Sequence, residues 1–227
     1  MEIIKDIWEG FDFTYLLEIL LSVIPSLICI TVHECCHGYT AYLLGDNTAK
    51  RAGRLSLNPL KHIDIKGLLM MVIFHFGWAK PVPINMRNFR NPKRGMAVTA
   101  LAGPVSNILL AIVFIAIYGF VCIPLGKSEV GEYFLQMISI GAYISVGLAV
   151  FNLIPVPPLD GSKVLFSLLS QEAYAKLMRY ERYGTIIMIV LIATGVLSRP
   201  LSVAVSAVFN FLAPISTACA RLVLRFM

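Results

Sequence analysis

Long runs without a charged residue constrain the fold of this 227-residue chain more than any other feature. No Asp, Glu, Lys or Arg occurs in the 32 residues between Arg94 and Lys127, or in the 27 between Glu132 and Asp160. A helix needs about 20 apolar residues to cross a bilayer. The composition agrees, since 58% of the residues are hydrophobic and 14% are charged, against about 25% charged in soluble domains. The sequence therefore excludes a soluble or disordered protein and predicts a polytopic membrane protein.

Further apolar runs predict the remaining spans. A run of 27 residues between Glu18 and Asp46 is interrupted only by a short polar cluster, and 21 residues separate Arg199 from Arg221. The 16 residues between Arg182 and Arg199 suffice for a span only if Arg199 extends its charge to the interface. We therefore predict an all-α protein with about five to six transmembrane helices.

The apolar stretch 67–79 is too short to cross the membrane. Its 13 residues measure about 20 Å as a helix, whereas the hydrocarbon core is about 30 Å thick. We predict a re-entrant or interfacial segment here. Prolines at 81 and 83 exclude a helix directly after it, so short membrane-associated β-strands are expected around Trp78–Asn85 and around Arg51–Leu57.

The basic residues indicate how the chain is oriented. If 67–79 enters and leaves on the same side, sixteen of the nineteen Lys and Arg residues share one face. Because cytoplasmic loops are rich in Lys and Arg, we expect that face to be cytoplasmic, with the N-terminus outside and the C-terminus inside a multi-pass protein of the cell membrane. The net charge of +6 then reflects topology, and no nucleic-acid partner is expected. The N-terminus also lacks the pattern of a cleavable signal peptide.

One polar cluster inside an apolar run carries the pattern His33-Glu34-Cys35-Cys36-His37. At 100° per residue, His33, Glu34 and His37 fall within one 100° arc of a helix. This H-E-x-x-H pattern offers two imidazoles to Zn²⁺ and places a carboxylate beside an open coordination position. Glu34 lies about 18 Å of helix before Asp46, within the hydrocarbon layer, where an ionisable group is a functional candidate.

A zinc site of this kind needs a third protein ligand, and four residues are candidates. His62 and Asp64 lie in a basic surface stretch, and His75 lies in the predicted re-entrant segment. Asp160 is the last residue but one of the run Asn152–Gly161, in which three prolines break the helix within the membrane. Irregular backbone at that depth occurs only where it lines a protein cavity. The sequence therefore favours Asp160.

A second polar feature, Asn107, ends the stretch Gly103-Pro104-Val105-Ser106-Asn107. It lies about 20 Å of helix after Arg94, which matches the depth of Glu34. Two interpretations remain open. Asn107 forms an interhelical hydrogen bond next to a Gly/Pro kink, or it acts directly at the site.

Together these motifs resemble the site-2 proteases, a family of intramembrane zinc metalloproteases, and most of all its compact prokaryotic branch without a PDZ domain. The resemblance covers about residues 27–170. The chain departs from the family at Cys35 and Cys36, where such proteins often have small or aliphatic residues. The motifs that carry the resemblance are His33–Gly38, Gly45-Asp46, Ala52–Pro59, Gly77–Pro83, Gly103–Asn107 and Asn152–Gly161.

The resemblance implies the role of each site residue. One Zn²⁺ per chain is held by His33, His37 and Asp160. Glu34 acts as general base and then as general acid, and Asn152 stabilises the oxyanion. Asn107 lines or braces the site, and the extended residues Lys80, Pro81, Val82 and Pro83 line it and pair with an unwound substrate.

The implied activity is that of a zinc-dependent intramembrane endopeptidase, which cleaves transmembrane segments or membrane-retained signal peptides inside the lipid bilayer, near its cytoplasmic face. We expect one membrane-embedded metalloprotease domain over residues 1–227, with a catalytic core over about 12–170 and C-terminal helices over about 171–227. The oligomeric state stays open. One alternative is a membrane metal-ion transporter. The other is a prenyl-protein-type zinc protease, which would need a glutamate as its third ligand, and here Glu172 and Glu181 lie in a basic stretch.

Overall fold

The computed structural model describes residues 13–64, 67 and 80–226, and these residues form eight α-helices. Two single turns of 3₁₀ helix, Pro59–Lys61 and Met86–Asn88, lie in the connections. The helices are α1 (Phe13–Leu43), α2 (Thr48–Arg51), α3 (Pro92–Leu125), α4 (Glu129–Asn152), α5 (Asp160–Ser167), α6 (Gln171–Ala193), α7 (Ser198–Leu212) and α8 (Pro214–Phe226).

Four stretches of helix in the described part of the chain are long and apolar enough to cross a membrane. They are Ile19–Leu43 within α1, the whole of α3, the whole of α4, and Ser198–Phe226, which comprises α7 and α8. The predicted all-α polytopic membrane protein is confirmed. The number of such helices is lower than the five to six expected, because the apolar part of α6 covers only Tyr183–Ala193. Gly195, at a φ of +68°, follows the end of that helix.

The short β-strands are not found in the described residues. Residues 80–85 and 54–58 have no regular secondary structure. The backbone N–H groups of residues 80, 82 and 85 donate to the carbonyl oxygen of His62 and to the carboxylates of Glu34 and Asp46, respectively. These N–H groups therefore need no neighbouring strand as a partner. The predicted re-entrant segment, apart from residue 67, lies outside the described residues.

Side-chain caps fix where three of the helices begin. Asn91 accepts a hydrogen bond from the backbone N–H of Arg94, with Pro92 as the first residue of α3. Ser128 and Ser170 cap α4 and α6 in the same way. Such caps satisfy N–H groups that have no partner inside the helix. Only residues 126–128 separate α3 from α4, so the two helices pack as antiparallel neighbours.

Helix α3 is central and packs against α1, α4, α5 and α8. Small residues allow these close approaches, as is usual between membrane helices. A Cβ atom on Gly141 of α4 would lie 3.0 Å from Pro25 of α1 and 3.0 Å from Phe114 of α3. The outer side of α3 exposes large apolar residues, which suits contact with lipid. They include Val105, Leu109, Val113, Ile117 and Phe120.

Candidate active site

Helices α1 and α5 bring three potential metal ligands together. His33 and His37 are one turn apart on α1, and the turn over residues 153–159 places Asp160 opposite them, at the first residue of α5. The two Nε2 atoms are 3.0 Å apart. Asp160 Oδ2 lies 3.2 Å from Nε2 of His33 and 3.0 Å from Nε2 of His37. All three residues are buried and form a candidate metal-binding group, since their ligand atoms lie close enough together to hold a metal ion.

The geometry of these three atoms fits zinc. In a tetrahedral site with bonds of about 2.1 Å, neighbouring ligand atoms are about 3.4 Å apart. The observed separations of 3.0–3.2 Å are close to that value. Two imidazoles and one carboxylate also form the type of donor set that catalytic zinc sites use, with one position left for water.

The outer ring nitrogens of both histidines have polar partners. Nδ1 of His37 donates to the carbonyl oxygen of Thr99 at 2.7 Å. Nδ1 of His33 lies 3.2 Å from the side-chain amide of Asn107, whose Oδ1 is buried without another partner. With the amide turned about its last torsion, Oδ1 accepts the Nδ1–H of His33. Both Nε2 lone pairs then point at the place where a metal ion would bind. A hydrogen bond at the other ring nitrogen is what fixes the orientation of a metal-ligating histidine.

Gly103 of α3 forms one wall of the site. A Cβ atom there would lie 2.5 Å from Cε1 of His33 and 2.5 Å from Nε2 of His37. Both distances are far below an ordinary contact. The glycine therefore lets the backbone of α3 approach the imidazoles, which explains why Gly103 belongs to the motif that ends in Asn107.

Glu34 lies beside the three potential ligands at the edge of a cavity of about 150 Å³. Its Oε2 accepts a hydrogen bond from the backbone N–H of Val82 at 2.8 Å. Besides Glu34 and the three ligands, the cavity lining includes Pro81, Val82, Ile84, Met96, Ala100, Asn152, Pro158 and Lys163. A carboxylate thus faces a small polar cavity next to the metal-binding group.

Of the four extended residues in the prediction, Pro81 and Val82 line the cavity. Lys80 is exposed and Pro83 is half-buried, and neither is among the lining residues. Asn152 lines the cavity at the end of α4, and its Nδ2 donates to the carbonyl oxygen of Leu148 at 3.0 Å. In this conformation its side chain is bonded to its own helix.

The rival third ligands lie elsewhere or outside the described residues. His62 is buried, but its Nε2 is bonded to the carbonyl oxygen of Ser56 at 2.8 Å. Asp64 is not part of the metal-binding group, and His75 lies outside the described residues.

Sequence reasoning missed two groups at the site. Nζ of Lys163 lies 3.3 Å from Oδ1 of Asp160, and the carbonyl oxygen of Thr99 orients His37. The spacing of three residues between Asp160 and Lys163 could have indicated the first contact. No local signal indicates the second, because Thr99 and His37 are 62 positions apart.

Asp46, just beyond the end of α1, holds the connection that leads to the cavity. Its fully buried carboxylate accepts hydrogen bonds from Thr48, from the backbone N–H of Asn85 and from the side chain of Asn88. Burial alone would raise the pKa of Asp46. The hydrogen bonds to its charged form outweigh burial and hold that pKa below its ordinary value.

Comparison with known proteins identifies the family. The sequence model of Peptidase family M50 matches residues 119–198, a range that includes Asn152 and Asp160. A relative from Bacillus subtilis, named "Putative zinc metalloprotease YwhC", is 38% identical over 178 residues, which cover 76% of this chain and 80% of the relative. This chain belongs to Peptidase family M50. The resemblance to site-2 proteases is therefore confirmed.

Other M50 relatives carry the same description in their names. MJ0611 of Methanocaldococcus jannaschii is 30% identical over 161 residues, which are 69% of this chain and 76% of that protein. Rip2 of Mycolicibacterium smegmatis is 28% identical over 190 residues, which are 82% of this chain and 71% of that protein. No solved structure matches this M50 chain significantly.

Proposed function

We infer that this M50 chain is an intramembrane zinc metalloprotease. The observation that carries the inference is the buried group of His33, His37 and Asp160, which sits with Glu34 at one cavity between membrane-spanning helices. Histidine and carboxylate ligands suit Zn²⁺, and ionisable groups at this depth are functional candidates. A zinc cofactor and a hydrolytic activity account for all four residues.

The residues divide the chemistry as follows. His33, His37 and Asp160 would hold the zinc ion, which would polarise the scissile carbonyl and lower the pKa of water. Glu34 takes the proton from the attacking water and passes it to the departing amine. The Val82 N–H holds one carboxylate oxygen, which leaves the other for this proton transfer. Asn107 and the Thr99 carbonyl fix the two imidazole orientations.

We assign Asn152 to the oxyanion. It lies at the cavity, and a side-chain amide is a suitable donor to the negative charge that develops on the carbonyl oxygen. Its bond to the Leu148 carbonyl uses one of its two N–H groups. The other is free to donate to substrate.

The substrate is a transmembrane segment or a membrane-retained signal peptide. A helical peptide bond is shielded by its own hydrogen bonds, so it must unwind before water can attack. Pro81 and Val82 line the cavity, and an unwound substrate strand could donate its N–H groups to the carbonyl oxygens of residues 81–83, since the N–H of Val82 is already bonded and the two prolines have none.

The orientation proposal places the N-terminus outside and the C-terminus in the cytoplasm, with the site within the bilayer near the cytoplasmic face. This requires an odd number of crossings, and the candidate spans in the described part number four. We propose α6 as the fifth, with the uncharged run 183–198 in the hydrocarbon layer and Arg199 extending its charge to the interface. Labelling of single cysteines before α6 and after it, with a membrane-impermeant maleimide, tests this crossing.

We further propose a single domain over residues 1–227, with a catalytic core over about 12–170, and one zinc ion per chain. The oligomeric state is a separate question that size-exclusion chromatography with light scattering answers.

The decisive experiment uses Glu34→Gln in the purified full chain. The substrate is a reporter with one transmembrane helix between two soluble tags. We expect Glu34→Gln to keep the zinc content of the wild type and to lose cleavage, because the base is removed and the ligands remain. Cleavage of the reporter by Glu34→Gln at the wild-type rate would refute the mechanism. Zinc flux into liposomes without cleavage by the wild type would favour a transporter.

A further inference from the structure

The extended segment 80–85 is held in place by other parts of the chain rather than by a sheet. It lines the cavity through Pro81, Val82 and Ile84. Four residues bond to its backbone, namely Glu34, Asp46, Arg54 and His62. Two of them, Asp46 and Arg54, are buried charged residues that lie outside the metal-binding group.

Arg54 holds the start of the segment. Its Nη2 donates to the carbonyl oxygen of Lys80 at 2.6 Å, and the Lys80 N–H donates to the carbonyl oxygen of His62 at 2.9 Å. The Arg54 side chain is buried, with 8% of its residue surface exposed. Within the described ranges it forms no ion pair.

Asp46 holds the other end. Its Oδ2 accepts the backbone N–H of Asn85 at 2.7 Å, and its Oδ1 accepts Nδ2 of Asn88 at 2.6 Å. The residue is fully buried. Like Arg54, it has no counter-ion among the residues that the structure describes.

Between these two anchors, the Val82 N–H donates to Oε2 of Glu34 at 2.8 Å. An extended chain rises about 3.3 Å per residue, so Val82 lies about 7 Å from the Arg54 anchor and about 10 Å from the Asp46 anchor. Over such short lengths the segment has little freedom to move. Gly38 also lets Val82 pack closely against α1, because a Cβ atom there would lie 3.0 Å from Cγ1 of Val82.

Both charges are buried, and hydrogen bonds, with no counter-ion among the described residues, stabilise them. Their shared feature is that each fixes one end of the segment whose middle amide binds the general base.

We propose that Arg54 and Asp46 are positioning residues that orient Glu34 through the Val82 N–H. The two side chains hold segment 80–85 at its ends, so the amide of Val82 stays aimed at the carboxylate and keeps its second oxygen directed into the cavity. This inference rests on the proposed function, because it gives these residues a role in the reaction that Glu34 carries out.

The test uses Arg54→Met and Asp46→Asn in the full-length chain, with Lys50→Met as a control. Lys50 is an exposed cation on the neighbouring helix α2 whose bond to the Tyr42 hydroxyl lies outside the segment. With the transmembrane-helix reporter, we expect kcat to fall about 10- to 100-fold in both test variants, since a misplacement of about 1 Å costs up to 100-fold. KM should change less than threefold, and Lys50→Met should match the wild type.

Two further measurements separate positioning from general damage. Zinc content and helical circular dichroism should stay at wild-type values. Amide hydrogen exchange, followed by mass spectrometry, should become faster across residues 80–85 in both test variants. Because this exchange needs no substrate, it tests the anchoring even if the chain cleaves nothing.

Several results would overturn the proposal. One is faster exchange in the segment with unchanged kcat, and another is unchanged exchange in both variants. Loss of zinc or of helix content along with activity would show that the two residues serve the fold alone. A wild-type chain without cleavage would instead count against the proposed function, while the exchange measurements still decide the anchoring.

Discussion

Gly103→Ala is the substitution whose effect the structure specifies most sharply. The added Cβ would lie 2.5 Å from Cε1 of His33 and 2.5 Å from Nε2 of His37. Carbon atoms in ordinary contact are about 3.5–4.0 Å apart, so the imidazoles or the backbone of α3 must move by about 1 Å. Metal sites tolerate deviations of only about 0.2 Å in ligand distance.

We therefore expect Gly103→Ala to weaken zinc binding by about 100-fold, which corresponds to about 2.7 kcal/mol. Cleavage of the reporter should fall at least as much, because the same shift moves the ligands relative to Glu34. Competition with a fluorescent zinc chelator in detergent measures the affinity, and circular dichroism of the metal-free protein checks the helices.

Gly147→Ala is the matched control. Gly147 also lies in a membrane-spanning helix, α4, but a Cβ atom there meets nothing within 4 Å. Alanine is the better helix former of the two, so this variant should bind zinc and cleave like the wild type. If Gly103→Ala kept wild-type affinity and activity, the close approach of α3 to the imidazoles would not be a constraint, and the reasoning would be wrong.

Three further predictions concern other parts of the site. Asp160→Asn should reduce zinc content measured by plasma emission, because the charged ligand is lost; an unchanged content would remove Asp160 from the ligand set. Asn107→Leu should weaken zinc binding about 10- to 100-fold in the chelator assay, and full affinity would show that the amide does not orient His33. Asp46 has a lowered pKa, so its contribution to stability is present above the unfolded pKa of about 3.9 and lost as pH falls through the folded value. Asp46→Asn should therefore make the free energy of unfolding fall less steeply at acid pH than it does in the wild type. Parallel curves of this free energy against pH for the two proteins would contradict the prediction.

The parts of the site that the sequence predicts are those set by local geometry. His33, Glu34 and His37 share a face because helical periodicity alone decides it. Asp160 was favoured as third ligand because a proline-rich run at membrane depth must line a cavity. The structure places its carboxylate within 3.2 Å of both imidazoles.

The parts that sequence reasoning missed depend on tertiary contacts. Alternating residues and prolines around 80–85 suggested a strand, but the N–H groups of Val82 and Asn85 are bound by carboxylates from α1 and its connection. Backbone periodicity carries no information about such partners. The described residues contain four helices that are long and apolar enough to span a membrane, and the apolar part of α6, Tyr183–Ala193, is shorter than a full span, so the crossing by α6 stays a prediction.

The extended backbone at the cavity has a consequence for which substrates are cut. Pro81 and Val82 line the space beside Glu34, and a helical substrate has no free backbone groups to offer this wall, because its own hydrogen bonds use them. We therefore expect residues that weaken a substrate helix near the scissile bond to increase the rate at which a membrane segment is cut.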